Sequence, residues 1–515
     1  MSQAIPHYDW IAHHAGRRPD KLAIQDLATG RRVTYRALDT RARQLAVHLQ
    51  SLGVGKGDRV AILAPNGAEF FDLQFACGRI GAIMVPLNWR LTVPELTYIM
   101  GDAAPVVLIH DSSFQEAVAA LVAATGIPHT LEIILGEPNG SYDRALAAAG
   151  ERVPVVAEVQ HDDVSTIMYT SGTTGHPKGA LITHGMTFWN VVNLGIPASI
   201  TPNTVQLVAL PLFHTGGLNC YANPILHAGG TILLMRAFDP GKALELIGDR
   251  ALGITHFFAV PAPYLFMQQH ALFETVDLSR LQVAGVGGAP CPLPMLETWA
   301  GRGVPLIQGY GMTETSPGTT MLDADFAISK VGSAGKALLH TEVRVVDAEG
   351  HETAPGEVGE LQTRGPNITP GYWNKPEATA ASFVDGWLKT GDAARCDADG
   401  YIYIVDRWKD MYISGGENVY PAEVETVLHG LAGIAEAAVI GTPDERWGEV
   451  GAAFVVLRPG ANLSEGAIIT HCSQNLARFK VPRTVSFIDV LPRNAAGKIL
   501  KRDLRLLEPK KETTQ

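Results

Sequence analysis

The residues best suited to chemistry stand together in one loop, residues 169–179, which reads YTSGTTGHPKG and follows the apolar run VSTIM. Glycines let backbone N–H groups approach an anion, hydroxyls add donors, and a lysine supplies a mobile positive charge. The loop therefore predicts a phosphate-binding site, with a solvated turn as the alternative. It is not the Walker A motif GxxxxGK[ST], because Pro177 precedes Lys178 and removes a backbone donor where that motif begins its helix.

The composition excludes several classes of protein. With 515 residues, 46% hydrophobic and 18% charged, the chain is too long for one small core and too apolar for a largely disordered or coiled-coil protein. Lys plus Arg number 41 and Asp plus Glu 52, a net charge of −11 that argues against a general nucleic-acid binder. The 53 glycines and 32 prolines predict many tight turns and loops lined by backbone.

Cysteine usage and the N-terminal sequence bear on the compartment. The cysteines stand singly, which predicts neither a zinc site nor a disulfide framework. They are Cys77, Cys220, Cys291, Cys396 and Cys472. No signal-peptide pattern and no window of ~20 apolar residues is present, so a cytoplasmic protein without an integral membrane segment is expected. The sequons at Asn139, Asn367 and Asn462 are then interpreted as chance.

Alternation of strand-like and helix-like runs predicts the elements that must position the loop. Short apolar runs such as DRVAILAPN and APVVLIHD alternate with helical stretches, and QLVALPLFH, THFFAVPA and LQVAGVGG continue the pattern. This predicts a layered α/β fold with ligands at strand ends. After about residue 331 the runs shorten into an antiparallel β section, and from residue 407 helices return in a compact α+β tail. The expected domains are residues 1–405 and 406–515.

Four further motifs follow the loop in order: YGMTE at 310–314, TGD at 390–392, Asp406-Arg407, and NAAGK at 494–498. Together they resemble the adenylate-forming superfamily of acyl-CoA synthetases, firefly luciferase and peptide-synthetase adenylation domains, over residues 5 to 508. The runs RWKDMYISGGENVYPAEVE and PRNAAGKILKRDLR look most like bacterial fatty-acyl and coumarate- or ferulate-type CoA ligases. The resemblance implies a large N-terminal AMP-binding lobe and a small mobile C-terminal domain.

The activity implied by the resemblance is an ATP-dependent, AMP-forming carboxylic acid–CoA ligase. The acid and ATP give acyl-AMP and pyrophosphate, and CoA then gives acyl-CoA and AMP. Because a carboxylate meets a triphosphate, cations must offset the repulsion. The implied cofactors are ATP, Mg²⁺ and coenzyme A.

The resemblance also assigns roles to residues. It implies catalytic roles for Lys178, Thr313, Glu314 and Lys498, with Thr170 and Glu314 as the metal ligands and Asp406 as the hinge. Asp392 and Arg407 are assigned to the ribose, and Gly415 and Gly416 to the thiol tunnel. The nucleotide- and cofactor-binding set comprises Thr170, Ser171, Gly172, Thr173, Thr174, Gly175, Lys178, Gly288, Ala289, Pro290, Gln308, Gly309, Tyr310, Gly311, Met312, Thr313, Asp392, Arg407, Lys409, Gly415, Gly416 and Lys498.

The same resemblance places an acid pocket among mostly small or apolar residues. These are Trp189, Asn193, His214, Thr215, Gly216, Gly217, Gly287, Gly311, Pro317 and Gly318. His214 is interpreted as a shaping and gating residue, with a hydrogen-bonded strand-end histidine as the alternative. The set holds no Asp or Glu to pair an α-ammonium, which disfavours amino acids. Gly216, Gly217 and Gly318 are expected to leave space, favouring a medium- or long-chain fatty acid or a cinnamic- or ferulic-type acid over acetate.

Two other functions stay open at this point. One is a stand-alone adenylating enzyme that loads an acyl-carrier protein in trans, and the other is a binding or regulatory protein without chemistry. The second is the weaker, because the whole set of charged candidates is present. The expected partners are the acid, ATP and CoA, and no nucleic acid; peripheral membrane contact, a homodimer and the identity of the acid are left open.

Overall fold

The computed structural model describes residues 5–170, 177–289, 291–407, 410–414, 417–444, 447–493 and 499–507. Its helices are α1 Trp10–Arg17, α2 Tyr35–Ser51, α3 Glu69–Ile80, α4 Val93–Ala103, α5 Gln115–Thr125, α6 Ser141–Ala149, α7 His184–Gly195, α8 Thr215–Leu218, α9 Ala222–Ala228, α10 Pro240–Gly248, α11 Pro261–Gln269, α12 Leu293–Gly301, α13 Pro376–Ala381, α14 Pro421–His429, α15 Glu465–Asn475 and α16 Lys501–Leu507.

The strands belong to two large sheets followed by two smaller ones. They are β1 Leu22–Asp26, β2 Arg32–Thr34, β3 Arg59–Leu63, β4 Ile83–Pro86, β5 Val107–Asp111, β6 His129–Ile133, β7 Val164–Thr170, β8 Lys178–Thr183, β9 Val205–Val208, β10 Thr231–Leu234, β11 His256–Ala259, β12 Val283–Gly287, β13 Leu306–Gly311, β14 Gly318–Met321, β15 Lys336–Ala337, β16 Glu342–Val346, β17 Val358–Arg364, β18 Phe383–Val384, β19 Trp387–Cys396, β20 Ile402–Arg407, β21 Tyr412–Ser414, β22 Glu417–Val419, β23 Ile434–Asp444, β24 Gly448–Leu457 and β25 Thr484–Phe487.

The first large sheet has the order β6-β5-β3-β4-β7-β8. Its strands run parallel except for β8, which returns antiparallel to β7. The second has the order β15-β14-β13-β12-β11-β9-β10-β1-β2, with a parallel centre from β13 to β1. Parallel strands require helical crossovers, so the predicted alternation of strand and helix produces both sheets.

Local sequence explains where the helices lie. Helix α2 begins after Thr34, whose hydroxyl accepts from the backbone N–H of Ala37, and such a cap satisfies a donor that the helix itself cannot pair. Its buried residues include Leu38, Ala42, Leu45 and Leu49, spaced three or four apart along one face. This face packs on α3, and one continuous core joins both helices to strands of the two large sheets.

The chain then forms the predicted β section and tail. Strands β16, β17, β18, β19 and β20 make an antiparallel sheet. From Tyr412 the chain builds a separate sheet around β23 and β24, on which α14 and α15 share a core that includes Val424, Val439 and Ile468. Asp406 belongs to β20, so the change from one sheet to the next follows directly after it. Along the described ranges, no helix combines the length and apolar character needed to cross a membrane.

Candidate active site

The predicted phosphate loop connects two antiparallel strands. Thr170 at the end of β7 is paired with Lys178 at the start of β8, and the Thr170 hydroxyl donates a 3.4 Å hydrogen bond to the Lys178 carbonyl. A strand therefore begins where a Walker A loop would start a helix, as Pro177 predicts. Residues 171–176, with the candidates Ser171, Gly172, Thr173, Thr174 and Gly175, lie outside the described residues.

Asp102, at the end of α4, anchors the base of this hairpin. Its carboxylate accepts hydrogen bonds from the Tyr169 hydroxyl at 2.7 Å and from the Lys375 ammonium at 3.0 Å. Its backbone carbonyl accepts from the indole N–H of Trp373 at 3.1 Å. The residue before Thr170 and the segment around Trp373 are thus fixed to one point.

Tyr372 lies between two of the predicted catalytic residues. Its hydroxyl donates a 2.7 Å hydrogen bond to Oε1 of Glu314, and the Lys178 ammonium lies 5.4 Å from the centre of its ring. Burial and the Glu314 carboxylate raise the pKa of the Tyr372 hydroxyl well above its ordinary value, so it remains a proton donor. Glu314 itself is only 5% exposed.

Glu314 and Thr313 lie in a short 3-10 turn, Thr313–Thr315, which follows β13 and packs against β8. Within the described residues no group of three or more His, Cys, Asp or Glu is arranged to hold a metal. Mg²⁺, however, is commonly bound through one or two carboxylates plus substrate phosphates. A single buried carboxylate beside the phosphate loop therefore fits Mg²⁺, while Thr170 and Glu314 as its ligands stay predictions.

The predicted ribose and adenine residues meet at the end of β13. Tyr310 donates a 2.5 Å hydrogen bond from its hydroxyl to Oδ2 of Asp392 on β19. The backbone of Asp392 is paired with that of Arg407 on β20. Gln308 and Gly309 precede Tyr310 on the strand, and the structure thus brings three separate sequence motifs together.

Gly287 and Gly311 are held by close backbone approach. A Cβ at Gly287 would lie 2.8 Å from the Gly309 carbonyl oxygen of the neighbouring strand, and one at Gly311 would collide with the Pro317 carbonyl. Gly288, which follows β12, has φ +79°, a conformation that favours glycine. These glycines permit tight backbone packing at the strand ends, where the fold is expected to bind ligands.

His214 directly precedes α8, in which Thr215 is the first residue. Burial, with a smaller contribution from the Arg90 guanidinium, lowers the pKa of His214 to about 4, so the ring is neutral at pH 7. Its buried Nε2 has no hydrogen-bond partner among the described residues. The alternative of a hydrogen-bonded histidine is therefore wrong for Nε2.

Two of the three glycines expected to leave space in the acid pocket do not. A Cβ at Gly217 would collide with the Pro211 carbonyl oxygen, and one at Gly318 would lie 2.7 Å from Cδ1 of Leu338. Only at Gly216 are the nearest atoms at ordinary contact distance, 3.6 Å to Leu210 and 3.8 Å to Phe258. The glycine-based argument for a large substrate is wrong at Gly217, where the backbone leaves no room for a Cβ, and at Gly318 the end of the Leu338 side chain already occupies the space.

Asn193 is buried and satisfied within the protein. Its amide accepts from the backbone N–H of His340 at 3.0 Å and donates to the Thr341 hydroxyl at 3.1 Å. Thr341 in turn donates to Asn367, whose amide group donates to the carbonyls of Thr315 and Gly318. This network connects α7 to the segment after β13, and Asn367, fully buried, is unsuited to glycosylation.

The residues that sequence reasoning missed are Asp102, Tyr372 and Asn367. Tyr372 stands in the run PGYWNKP, where a glycine and two prolines mark an irregular segment rich in aromatic residues. That was the available signal, since aromatic side chains in loops often bind or position ligands. Candidates outside the described residues are Pro290, Lys409, Gly415, Gly416 and Lys498. Asp406 and Arg407 are described here only through their backbone.

Comparison with known families identifies the chain. The model of the AMP-binding enzyme family matches residues 11–373, and that of the AMP-binding enzyme C-terminal domain matches residues 423–498. The chain belongs to this family. Within it, the chain is an AMP-forming acid–thiol ligase, a CoA ligase that uses ATP with Mg²⁺ and coenzyme A. The resemblance inferred from the motifs is confirmed.

Relatives with described activities span most of the chain. It is 43% identical to the feruloyl-CoA synthase of Amycolatopsis sp, over 96% of this chain and 98% of the relative. It is 40% identical to the indoleacetate–CoA ligase of Aromatoleum aromaticum, over 98% of both chains. A long-chain-fatty-acid–CoA ligase of Mycobacterium tuberculosis is 39% identical over 95% of both.

Solved structures confirm the predicted fold class. ATP-bound MatB from Rhodopseudomonas palustris is similar with a TM-score of 0.90 and 35% identity, over 97% of this chain and 99% of that one. The o-succinylbenzoate CoA synthetase of Bacillus subtilis, in complex with its acyl-adenylate intermediate, gives 0.87 and 35% over 98% of both chains. The mixed α/β lobe with a smaller C-terminal domain is the architecture of these enzymes.

Proposed function

We propose that this CoA ligase activates an aromatic carboxylic acid of the hydroxycinnamate or arylacetate class. The observation that carries the proposal is the fixed indole ring of Trp189, a predicted acid-pocket residue, which packs edge to face with the ring of His340 with centroids 4.9 Å apart. A fixed indole ring offers a flat aromatic ligand a surface to pack on. The names of the feruloyl-CoA and indoleacetate relatives support the same class, while the relative named for long-chain fatty acids makes that class the second candidate.

The first half-reaction joins the acid to AMP. A carboxylate oxygen of the acid attacks the α-phosphorus of ATP, the bond to the β-phosphate oxygen breaks, and pyrophosphate leaves. In this proposal Lys178 and residues 170–175 hold the β- and γ-phosphates, Thr313 contacts the α-phosphate, and Lys498 bridges the carboxylate and the phosphate. Glu314 would hold Mg²⁺, which would supply positive charge to the phosphates when bound.

The nucleoside is proposed to lie at the end of β13. Asp392 has the acceptor oxygens that a pair of ribose hydroxyls requires, and its bond to Tyr310 fixes the carboxylate. Gly288 and Gly309 allow a planar base to approach the backbone. Because the His214 ring is neutral at pH 7, the cations proposed to offset the repulsion between the carboxylate and the phosphates are Lys178, Lys498 and Mg²⁺.

The second half-reaction transfers the acyl group to CoA. The thiolate sulfur attacks the acyl carbonyl, the C–O bond to AMP breaks, and AMP leaves. We propose that the tail turns about Asp406, which removes Lys498 and brings Gly415 and Gly416 to the pantetheine. The location of Asp406 at the end of β20, immediately before the chain enters the last sheet, supports a hinge there.

An acid screen tests the proposed substrate class. Pyrophosphate release is measured with ATP, Mg²⁺ and CoA across acetate, C6 to C18 fatty acids, benzoates, arylacetates and hydroxycinnamates. We expect kcat/KM for the best hydroxycinnamate or arylacetate to exceed that for acetate by at least about a hundredfold, since each buried methylene or ring edge adds binding energy. A maximum among C12 to C18 fatty acids would replace the proposal with the second candidate. Turnover with a phosphopantetheinylated carrier protein and none with CoA would contradict the acceptor.

A further inference from the structure

Tyr372 contacts two residues of opposite charge that are proposed to bind ATP and its metal. Its hydroxyl donates to Oε1 of Glu314 at 2.7 Å, and its ring lies 5.4 Å from the Lys178 ammonium. We propose that Tyr372 is a positioning residue that keeps Lys178 and Glu314 apart and oriented, so that each keeps its charge for MgATP. This inference rests on the roles assigned to Lys178 and Glu314 under the proposed function.

The backbone around Tyr372 is fixed to the strand that starts at Lys178. The N–H of Leu181 donates to the Gly371 carbonyl at 3.0 Å, and the N–H of Trp373 donates to the Gly179 carbonyl at 2.8 Å. The Tyr372 N–H itself donates to the Thr379 hydroxyl at 3.0 Å. Because the backbone is hydrogen-bonded on both sides of Tyr372, the ring keeps its position when the Lys178 and Glu314 side chains move. The ring therefore acts as a fixed support for both side chains.

The electrostatics of the arrangement explain why a tyrosine is suitable. Lys178 and Glu314, both described, form no ion pair within 4.0 Å, and each contacts Tyr372 instead. A direct ion pair would neutralise both groups before the nucleotide arrived. The phenol instead offers its electron-rich face to the cation and its hydroxyl proton to the anion, which stabilises both charges without joining them.

The Glu314 carboxylate keeps one oxygen for a metal. Tyr372 occupies Oε1, while Oε2 receives no hydrogen bond from the described residues. The backbone carbonyl of Glu314 accepts from the N–H of Thr369 at 2.8 Å, which fixes the residue to the same segment that carries Tyr372. Hydrogen bonds of this kind to a ligand carboxylate set its orientation, and their removal commonly weakens metal binding by 10- to 100-fold.

Equilibrium binding of ATP to the full chain, without acid and therefore without turnover, tests the inference. The dissociation constant of ATP is measured by calorimetry with Mg²⁺ and with EDTA. The constant with EDTA divided by the constant with Mg²⁺ reports the coupling between metal and nucleotide. Tyr372→Phe removes only the hydroxyl, so we expect that ratio to fall about tenfold with the metal-free constant unchanged. Tyr372→Leu also removes the ring beneath Lys178, so the metal-free constant should rise about threefold or more.

Tyr142→Phe is the matched control. The Tyr142 hydroxyl donates at 3.0 Å to a buried carboxylate, that of Asp72, in a network with Arg41 outside the predicted site. Its loss should leave both ATP constants unchanged. A thermal unfolding curve for each variant verifies folding, which Tyr372→Phe should keep because the ring is retained.

A double variant with Glu314→Gln tests whether Tyr372 acts through Glu314, so the conclusion does not rest on one substitution. If Tyr372 acts through Glu314, adding Tyr372→Phe to Glu314→Gln should lower the coupling no further. Equal coupling in wild type and Tyr372→Phe, or additive losses in the double variant, would overturn the inference while the proposed function stands. A wild-type ratio of one would overturn the metal site assigned to Glu314 and the inference with it.

Discussion

The Tyr310 hydroxyl donates a 2.5 Å hydrogen bond to Oδ2 of Asp392, a residue 82 positions further along the chain. This bond joins the end of β13 in the second large sheet to β19 in the antiparallel sheet. Asp392 is only 5% exposed, so a bond from a neutral donor fixes its carboxylate where few waters could replace it. The two motifs that supply these residues therefore act as one unit.

Tyr310→Phe tests this unit. Loss of a hydrogen bond to a charged, buried acceptor costs about 1.5–3 kcal/mol, so we expect the KM for ATP in the pyrophosphate–ATP exchange assay to rise about tenfold or more. Tyr403→Phe is the control and should leave the KM unchanged, because the Tyr403 hydroxyl also donates to an aspartate, Asp397 just after β19 at 3.4 Å, that has no predicted role in nucleotide binding. Equal KM values for wild type and Tyr310→Phe would contradict a role for Asp392 in nucleotide binding.

Alanine substitutions at Gly217 and Gly216 test whether each glycine is required for packing or for the shape of the acid pocket. Gly217→Ala pushes a methyl group onto the Pro211 carbonyl, and we expect a loss of about 1–3 kcal/mol in the free energy of unfolding. Gly216→Ala meets atoms only at 3.6 Å and 3.8 Å, so its stability should match wild type while its preference among acids changes. Denaturant unfolding and the acid screen measure the two effects. A stable Gly217→Ala variant together with a destabilised Gly216→Ala variant would contradict this packing.

Partly buried histidines predict a pH dependence of stability. Burial lowers the pKa of His227 to about 4, with the nearby His14 and His13 adding to the effect, and burial also lowers the pKa of His7 to about 4. Between pH 6.5 and 4 these rings bind protons only when unfolded. The stability they contribute is therefore complete above pH 6.5 and is lost as the pH falls towards 4.

Denaturant unfolding at a series of pH values measures this loss. His227→Gln should flatten the decline of the free energy of unfolding between pH 6.5 and 4.5, whereas His351→Gln, at a side chain 79% exposed, should leave the wild-type slope. A wild-type stability that stays constant or rises on acidification through this window would be incompatible with neutral His7 and His227 rings in the folded protein.

Lys498→Ala tests the two-step use of one site. This residue lies outside the described residues, so the prediction rests on the NAAGK motif. Acyl-AMP formation should fall by at least about a hundredfold, since a positioned cation at developing charge supplies several kcal/mol. Thioester formation from supplied acyl-AMP should fall less than about threefold. Equal loss in both half-reactions would refute the hinge.

Patterns in the sequence predicted much of the fold. The run APVVLIHD forms β5, and PAEVETVLHG forms α14 beginning at Pro421, because hydrophobic periodicity and capping act over a few residues. Tyr372 was missed because its partner Glu314 is 58 residues away, and no local pattern records that contact. The glycine argument failed at Gly318 for the same reason, since the atom that fills the space belongs to Leu338, on another segment.

Isotope labelling of the substrate's carboxylate oxygens tests the two proposed half-reactions most directly. The full chain is given ATP, Mg²⁺, CoA and 4-hydroxy-3-methoxycinnamate labelled with ¹⁸O in its carboxylate, and the products are analysed by mass spectrometry. Attack of the carboxylate on the α-phosphorus, followed by cleavage of the acyl C–O bond, leaves one labelled oxygen on AMP for each acyl-CoA formed. We expect singly labelled AMP and unlabelled pyrophosphate. Label in inorganic phosphate with ADP as the nucleotide product, or acyl-CoA formed with unlabelled AMP, would contradict the two half-reactions.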